Sequence, residues 1–170
     1  CFKYAFNDKD SAFHYVNRSI DICKKKGYDS LRTEALNIKG IIYDIQGETD
    51  SSEYYFLKTY NLSVEIGFKT YESFSINNLG MMYWRRADFN EALEFFFKAL
   101  KFNEENEIVE SVGSNYNNIG LIYQEMKLYV KAIDYHKKAL NQRLNVHLEL
   151  DEVADSYNNL AICFKGFEQK

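Results

Sequence analysis

Apolar positions along this chain fall into two patterns, each with helical spacing. In one, small and large residues alternate at offsets of four and three: Ala92, Phe96, Ala99 and Leu100, then Ala132, His136, Ala139 and Leu140. Positions three and four apart share one face of an α-helix. Small residues let two helix backbones approach, and the large side chain fills the groove beside them. The same columns run upstream as Ala12 and Ser52, Val16 and Phe56, Ser19 and Thr59, Ile20 and Tyr60. In the second pattern, Asn77-Asn78-Leu79-Gly80 recurs as Asn117-Asn118-Ile119-Gly120 and Asn158-Asn159-Leu160-Ala161, with a weaker copy at Asn37-Ile38-Lys39-Gly40. Three residues beyond each copy stands an aromatic: Tyr43, Tyr83, Tyr123 and Phe164.

The small residues Gly40, Gly80, Gly120 and Ala161 are spaced by 40, 40 and 41. A fixed period of this size marks a stacked repeat architecture. Each period holds a first helix with the Asn-Asn-Leu-Gly segment and a second helix with the small-large-small stripe. Turn signals at Gly47-Glu48-Thr49-Asp50, Ala87-Asp88-Phe89-Asn90 and Lys127-Leu128-Tyr129 part the two, and polar breaks near Gly27, Gly67, Glu104 to Asn106 and His147 end the second helices. The pattern predicts helices near 8–26, 29–46, 50–66, 69–86, 90–105, 108–126, 130–146 and 149–166. The fold class expected is all-α, a right-handed superhelical array of about eight helices in antiparallel hairpins. It forms a single array over 1–170: the end of a partial repeat (1–26), repeats at 29–66, 69–105 and 108–146, and the first helix of another at 149–170. Residues 1–6 fit the tail of a first helix, and no polar capping helix stands at either end. The chain therefore reads as a segment of something longer, with end-to-end contacts between copies expected at the open faces.

Asn78-Leu79-Gly80 with Tyr83, Ala92, Phe96 and Ala99 resembles the tetratricopeptide repeat signature, and Asn118-Ile119-Gly120 with Tyr123, Ala132 and Ala139 repeats it. The period exceeds the usual 34, and the proline that often closes a repeat is missing. Both departures are similar to the longer variant of kinesin light chains, Rap-type peptide receptors and Bacteroidetes sensor-regulators. A HEAT-like array fits the period but does not predict the Asn-Leu-Gly and Ala columns.

Composition adds little chemistry and excludes some. The absence of proline suits a chain that is helix nearly throughout. With a net charge of −4 and no Lys/Arg stripe, nucleic acid is not an expected partner. Lys24-Lys25-Lys26 reads as the cationic end of a helix. Cys1, Cys23 and Cys163 form neither a disulfide framework nor a metal cluster, and Cys23 and Cys163 read as core. No apolar run is long enough to span a membrane. His136 falls in a core column, so it reads as a buried side chain rather than a base or ligand. No catalytic motif and no cofactor motif is present, so an enzyme is not expected.

What remains is surface. In a stacked array the first helices line the concave side. Their inward row is Glu34, Asn37, Ile41 and Asp44 in the first copy, then Phe74, Asn77, Met81, Trp84 and Arg85 in the second. The third copy offers Ser114, Asn117, Leu121 and Gln124, and the fourth Asp155, Asn158 and Ile162. A side-chain amide carries both a donor and an acceptor, as a peptide backbone does. An Asn row that holds peptide backbones is what the resemblance implies. The other reading is that these asparagines bond neighbouring helices and hold the stack. For Asn78, Asn118 and Asn159 the stacking role is preferred; for Asn37, Asn77, Asn117 and Asn158 both stay open. Trp84 is a candidate anchor, since Trp is enriched at binding hot spots. The expected function is a non-catalytic scaffold for a protein or peptide segment. The alternative is a regulatory region of a bacterial histidine kinase or transcription regulator, cytoplasmic or periplasmic, acting by oligomerisation or signal transmission.

Overall fold

The computed structural model describes residues 9–146 and 150–168. Among them are eight α-helices and no strand: α1 Lys9–Lys26, α2 Asp29–Ile45, α3 Thr49–Glu65, α4 Lys69–Arg85, α5 Phe89–Glu105, α6 Val109–Glu125, α7 Tyr129–Asn145 and α8 Leu150–Glu168. Every predicted helix is present, with ends that move by at most two residues. The expected tail at 1–6, Cys1, His147, the starts at 8 and 149 and the last residue, Lys170, lie outside the described residues.

The ends move because the turns obey one rule that the sequence hides. After each of the first six helices, an N–H bonds the carbonyl five residues back: Tyr28 to Cys23, Glu48 to Tyr43, Phe68 to Ser63, Asp88 to Tyr83, Ile108 to Asn103 and Leu128 to Tyr123, all at 2.7–3.0 Å. The residue before each donor takes a positive φ: Gly27, Gly47, Gly67, Ala87, Glu107 and Lys127. This is the Schellman closure, which satisfies orphan carbonyls by one left-handed residue. The backbone thus repeats every 20 residues, while the side chains repeat every 40. Glycine occupies only half of these left-handed positions, so glycine spacing did not reveal the shorter period.

The chain divides into two compact units, Cys1–Met82 and Tyr83–Lys170, the division falling inside α4. In the first, α1 packs on α2 and α2 on α3. Ala12, Val16, Ala35 and Ile42 form a cluster rimmed by Phe13, Ile20 and Ile38. Phe56 is 1% exposed. Its ring lies on Gly40, where a Cβ would stand 2.6 Å from the ring. Burying such a side chain contributes about 1.5–3 kcal/mol, and only the missing Cβ permits the approach. Thr33, Thr59 and Ser75 are buried but return their hydroxyls to carbonyls four residues back.

In the second unit α5 packs on α6, α6 on α7, and α8 on both α7 and α6. Ala92, Phe96, Ala99, Ala132, His136 and Ala139 are fully buried. The His136 ring sits on Gly120 as Phe56 sits on Gly40, so His136 is a core side chain. Two polar links pin successive hairpins. Asn103 Nδ2 donates to Asn115 Oδ1 at 2.6 Å. Arg143, 5% exposed, donates to Glu152 O and Ser156 Oγ at 2.8 and 2.7 Å.

A ring pair recurs in both units: Tyr43 stacks on Tyr55, Tyr83 on Phe95 and Tyr123 on Tyr135, with centroids 5.3–5.5 Å apart. Cations cover the stacks, with Lys39 over Tyr55, Arg86 over Tyr83, Lys131 over Tyr123 and Lys138 over Tyr135.

Candidate functional site

Each first helix carries the predicted row beside its glycine column, offset by part of a turn. On α2, Asn37 is 7% exposed, and Ile41 and Asp44 are half-buried. On α4, within the first unit, Phe74 is exposed and Asn77 and Met81 are half-buried. The last turn of α4, within the second unit, carries half-buried Trp84 and exposed Arg85, whose pKa burial lowers. On α6, Ser114, Asn117, Leu121 and Gln124 are all half-buried, whereas on α8 Asp155, Asn158 and Ile162 are exposed.

The asparagines do not form one row of equal members; they form rungs between repeats. In the first unit Asn78 Nδ2 donates to Asn37 Oδ1 at 2.8 Å. In the second, Asn159 Nδ2 donates to Asn117 Oδ1 at 2.9 Å. The second asparagine of one repeat thus holds the first asparagine of the repeat before it. Asn77 and Asn118 are also engaged in interactions. A second rung joins the same two helices of the second unit, where the Cys163 thiol donates to Gln124 Oε1 at 3.1 Å. Burial raises the Cys163 pKa, which keeps the proton that this bond needs. By its local pattern Cys163 reads as a core filler alone, because nothing there points to Gln124.

These rungs set amide orientation. An amide's oxygen and nitrogen are told apart by their partners. With Oδ1 accepting from Asn159, the Asn117 amide holds its NH₂ elsewhere, and among the described residues no acceptor meets it. The Gln124 amide is fixed likewise by Cys163. Leu121 lies between them on α6, with Asn158 and Ile162 on the neighbouring α8. The second unit therefore offers oriented amide donors around a half-buried apolar side chain, which suits carbonyl groups spaced along an extended chain. Asn37 is oriented by the same bond but is too buried to offer its NH₂ freely. Among the described residues no group of His, Cys, Asp or Glu side chains is arranged to hold a metal. No described helix is long and apolar enough to cross a membrane.

Residues 75–105 and 111–170 match family models described as tetratricopeptide repeat. By sequence the chain matches no curated protein. Among solved structures it is similar to aspartyl phosphate phosphatase F from Bacillus subtilis, with a TM-score of 0.86 at 15% identity, over 98% of this chain and 44% of that one. It is similar also to a signal transduction ATPase with numerous domains and a tetratricopeptide repeat sensor from Pyrococcus horikoshii (TM-score 0.79, 19% identity, 94% of this chain and 25% of that one). A third likeness is to the kinesin light chain nearly identical TPR-like repeats of Podosopora anserina, with a TM-score of 0.71 at 14% identity, over 99% of this chain and 83% of that one. Such identities speak for the fold alone. Repeats of this kind are protein-interaction scaffolds, typically without catalytic chemistry. With its Asn-Leu-Gly and Ala columns seated at the helix contacts and its repeats matched over more than half its length, this chain belongs to the tetratricopeptide repeat family.

Proposed function

We propose that the chain is a non-catalytic binding module that takes an extended peptide segment along the open face of first helices α6 and α8 in its second unit. The observation that carries this is the Asn117 amide, whose oxygen is held by Asn159 while its NH₂ has no acceptor among the described residues. A group fixed in this way costs little further entropy when it bonds a ligand. Leu121 and Ile162 supply apolar contact beside it, and Ser114, Gln124 and Asn158 supply polar contact. The first unit carries a proposed row of its own, Asn77, Met81 and Phe74, with Ile41 and Asp44 on the neighbouring α2 and Asn37 as a supporting residue. Trp84 and Arg85 are the proposed anchors at the end of α4.

The test must separate holding the stack from holding a ligand. Asn117→Asp keeps an oxygen for Asn159 and loses the NH₂; Asn117→Ala loses both. A phage-displayed library of unstructured peptides, panned on the wild-type protein, supplies the probe. The selected peptide should bind the Asp variant at least tenfold more weakly (about 1.4 kcal/mol or more), with thermal stability nearly unchanged. Retained affinity in folded Asn117→Asp and in a folded Asn77→Ala, Asn117→Ala, Trp84→Ala triple variant would overturn the assignment.

A second reading treats the array as a regulatory region of a larger protein. It is supported by the likeness to the ATPase with a repeat sensor, of which this chain spans a quarter. Recombinant fusion to the flanking sequence of the parent chain, assayed with and without the selected peptide, distinguishes a switch from a plain binder.

A further inference from the structure

A groove that the second unit fills with its own ring stands open in the first. In the second unit Tyr116 of α6 lies between α5 and α7. Its hydroxyl donates to Glu104 of α5 at 3.1 Å, and its ring meets Tyr135 of α7 with centroids 6.3 Å apart. Two periods earlier, α1, α2 and α3 repeat this arrangement, and the column of Tyr116 holds Leu36. Where the ring would lie there is an open cleft of about 500 Å³, walled by α1 and α3 over α2, all within the first unit. Ile20, Leu36 and Leu62 give it an apolar floor, the two leucines 2% and 6% exposed. The rim is charged: Lys24, Arg32 and Lys58 stand with Asp21 and Glu65. Arg32 is held by Asp29 at 3.1 Å, and Lys58 Nζ donates to the Tyr54 hydroxyl at 3.3 Å. Lys24 is exposed and, among the described residues, has neither an ion pair nor a hydrogen-bond partner.

We propose that this cleft binds a small aryl acid, a flat ring bearing one carboxylate, with the ring over Leu36 and Leu62 and the carboxylate toward Lys24. Three observations choose this ligand. The equivalent groove of the same chain is filled by an aromatic ring, so the backbone frame already accepts one. The cleft has the volume of a small-molecule site, with an apolar floor and a few polar groups at its edge. The third observation is a reversal of charge. Lys24 occupies the column of Glu104, so the acceptor that meets the Tyr116 hydroxyl is replaced by a donor. A ring seated here must bring an acceptor, and a carboxylate makes the stronger, charge-assisted bond. Three cations against two carboxylates leave a single positive excess at the rim, which suits one negative charge and opposes a polyanion. The site lies in the first unit and uses none of the open face of α6 and α8, so it stands apart from the peptide reading.

Two probes of nearly one shape, 4-methylbenzoate and 4-methylphenol, test this by NMR titration of the 170-residue chain with labelled methyl groups. The acid should bind with a Kd of about 1–5 mM, the strength of a ligand of its size. It should move the methyl signals of Leu36 and Leu62 and leave those of Leu121 and Ile162 in place. Lys24→Glu changes an exposed side chain, so circular dichroism should match the wild type. It should weaken the acid about three- to fivefold while 4-methylphenol binds no worse. Leu36→Tyr places the ring of the second unit in the cleft and should abolish binding of both probes; if that variant does not fold, Lys24→Glu decides alone. Asn117→Asp should leave the acid's affinity unchanged, so failure here and failure of the peptide row are read separately. Leu36 and Leu62 methyl signals that stay still at about tenfold the expected Kd would overturn the proposal. Equal affinity of wild type for the two probes would make the cleft a seat for a neutral ring, such as a tyrosine of a partner protein, and would overturn it too.

Discussion

Replacing His136 with phenylalanine should stabilise the protein, and should do so more at acid pH. The imidazole is fully buried, and neither ring nitrogen has a hydrogen-bond partner. A buried unsatisfied polar group costs about 1–3 kcal/mol. Phenylalanine removes both nitrogens and keeps a flat ring over Gly120, the arrangement that Phe56 already makes over Gly40. The larger ring returns part of that gain through overpacking, about 1 kcal/mol. The net expectation near pH 7.5 is about 0–2 kcal/mol in favour of the variant.

The pH dependence is sharper. Burial, and next the charge of Arg143, push the His136 pKa from 6.5 down to about 4. The unfolded chain therefore takes up a proton first as pH falls. The stability contributed by the neutral ring is complete above pH 6.5 and declines below it. The loss levels off near pH 4, where the folded form protonates too. Linkage with these two values gives a loss of about 2 kcal/mol between pH 7.5 and pH 5, and about 3 kcal/mol at the acid limit. Urea unfolding followed by circular dichroism at both pH values measures it. The carboxylates titrate in both proteins and cancel in the difference. The gap between His136→Phe and wild type should widen by about 2 kcal/mol from pH 7.5 to pH 5. Parallel curves would refute the reasoning, because they would mean that the folded imidazole protonates as freely as the unfolded one.

Ala87→Gly and Lys127→Gly should each raise stability by about 0.5–1 kcal/mol, since both residues hold φ near 60° at a turn that favours glycine; an unchanged melting temperature would deny that strain. Gly40→Ala should destabilise by about 2 kcal/mol or more, because the new methyl would stand 2.6 Å from the Phe56 ring. A Gly40→Ala, Phe56→Leu double variant should recover part of that loss in the same denaturation assay. Arg143→Met should loosen α8 by about 2–3 kcal/mol, since its bonds to Glu152 O and Ser156 Oγ are lost. Hydrogen exchange would show this as faster exchange across α8 while α6 stays protected.

The stripes made the helices legible. Once Ala92, Phe96 and Ala99 lined up with Ala132, His136 and Ala139, the helix count and the core placement of His136 followed from side-chain volume, whereas the seating of Phe56 on Gly40 and His136 on Gly120 is visible only in the structure. Three features were beyond the same reasoning. The 20-residue backbone period is carried by φ, and Ala87, Glu107 and Lys127 reach the left-handed region without a glycine to announce it. The ring column Tyr55, Phe95 and Tyr135 stands beside the column of large buried residues, and nothing in its spacing marks it for stacking on Tyr43, Tyr83 and Tyr123. The polar pins Asn103 to Asn115 and Arg143 to Ser156 occupy one level of the repeat with different chemistry at each junction. A period search looks for sameness and passes over them.

The asparagine columns show why the open row was the hardest part to read. Asn at the first position of each copy was left between a ligand role and a stacking role, as though the two excluded each other. The bond from Asn159 to Asn117 uses an oxygen, whereas a peptide carbonyl asks for the NH₂ on the same carbon. One amide can serve both roles, and the first makes the second stronger by fixing its direction. Solvent exposure then separates the members of the column. Asn37, 7% exposed, is confined to the stack, whereas half-buried Asn117 can do both. The variant that tells them apart is Asp, which keeps the rung and removes the donor. At position 117 it should cost binding but little stability. At position 37 it should cost stability, because the same change buries a carboxylate with a single described hydrogen-bond donor, Asn78. Equal behaviour at the two positions would mean that burial does not divide the column, and the ligand role of Asn117 would fall with it.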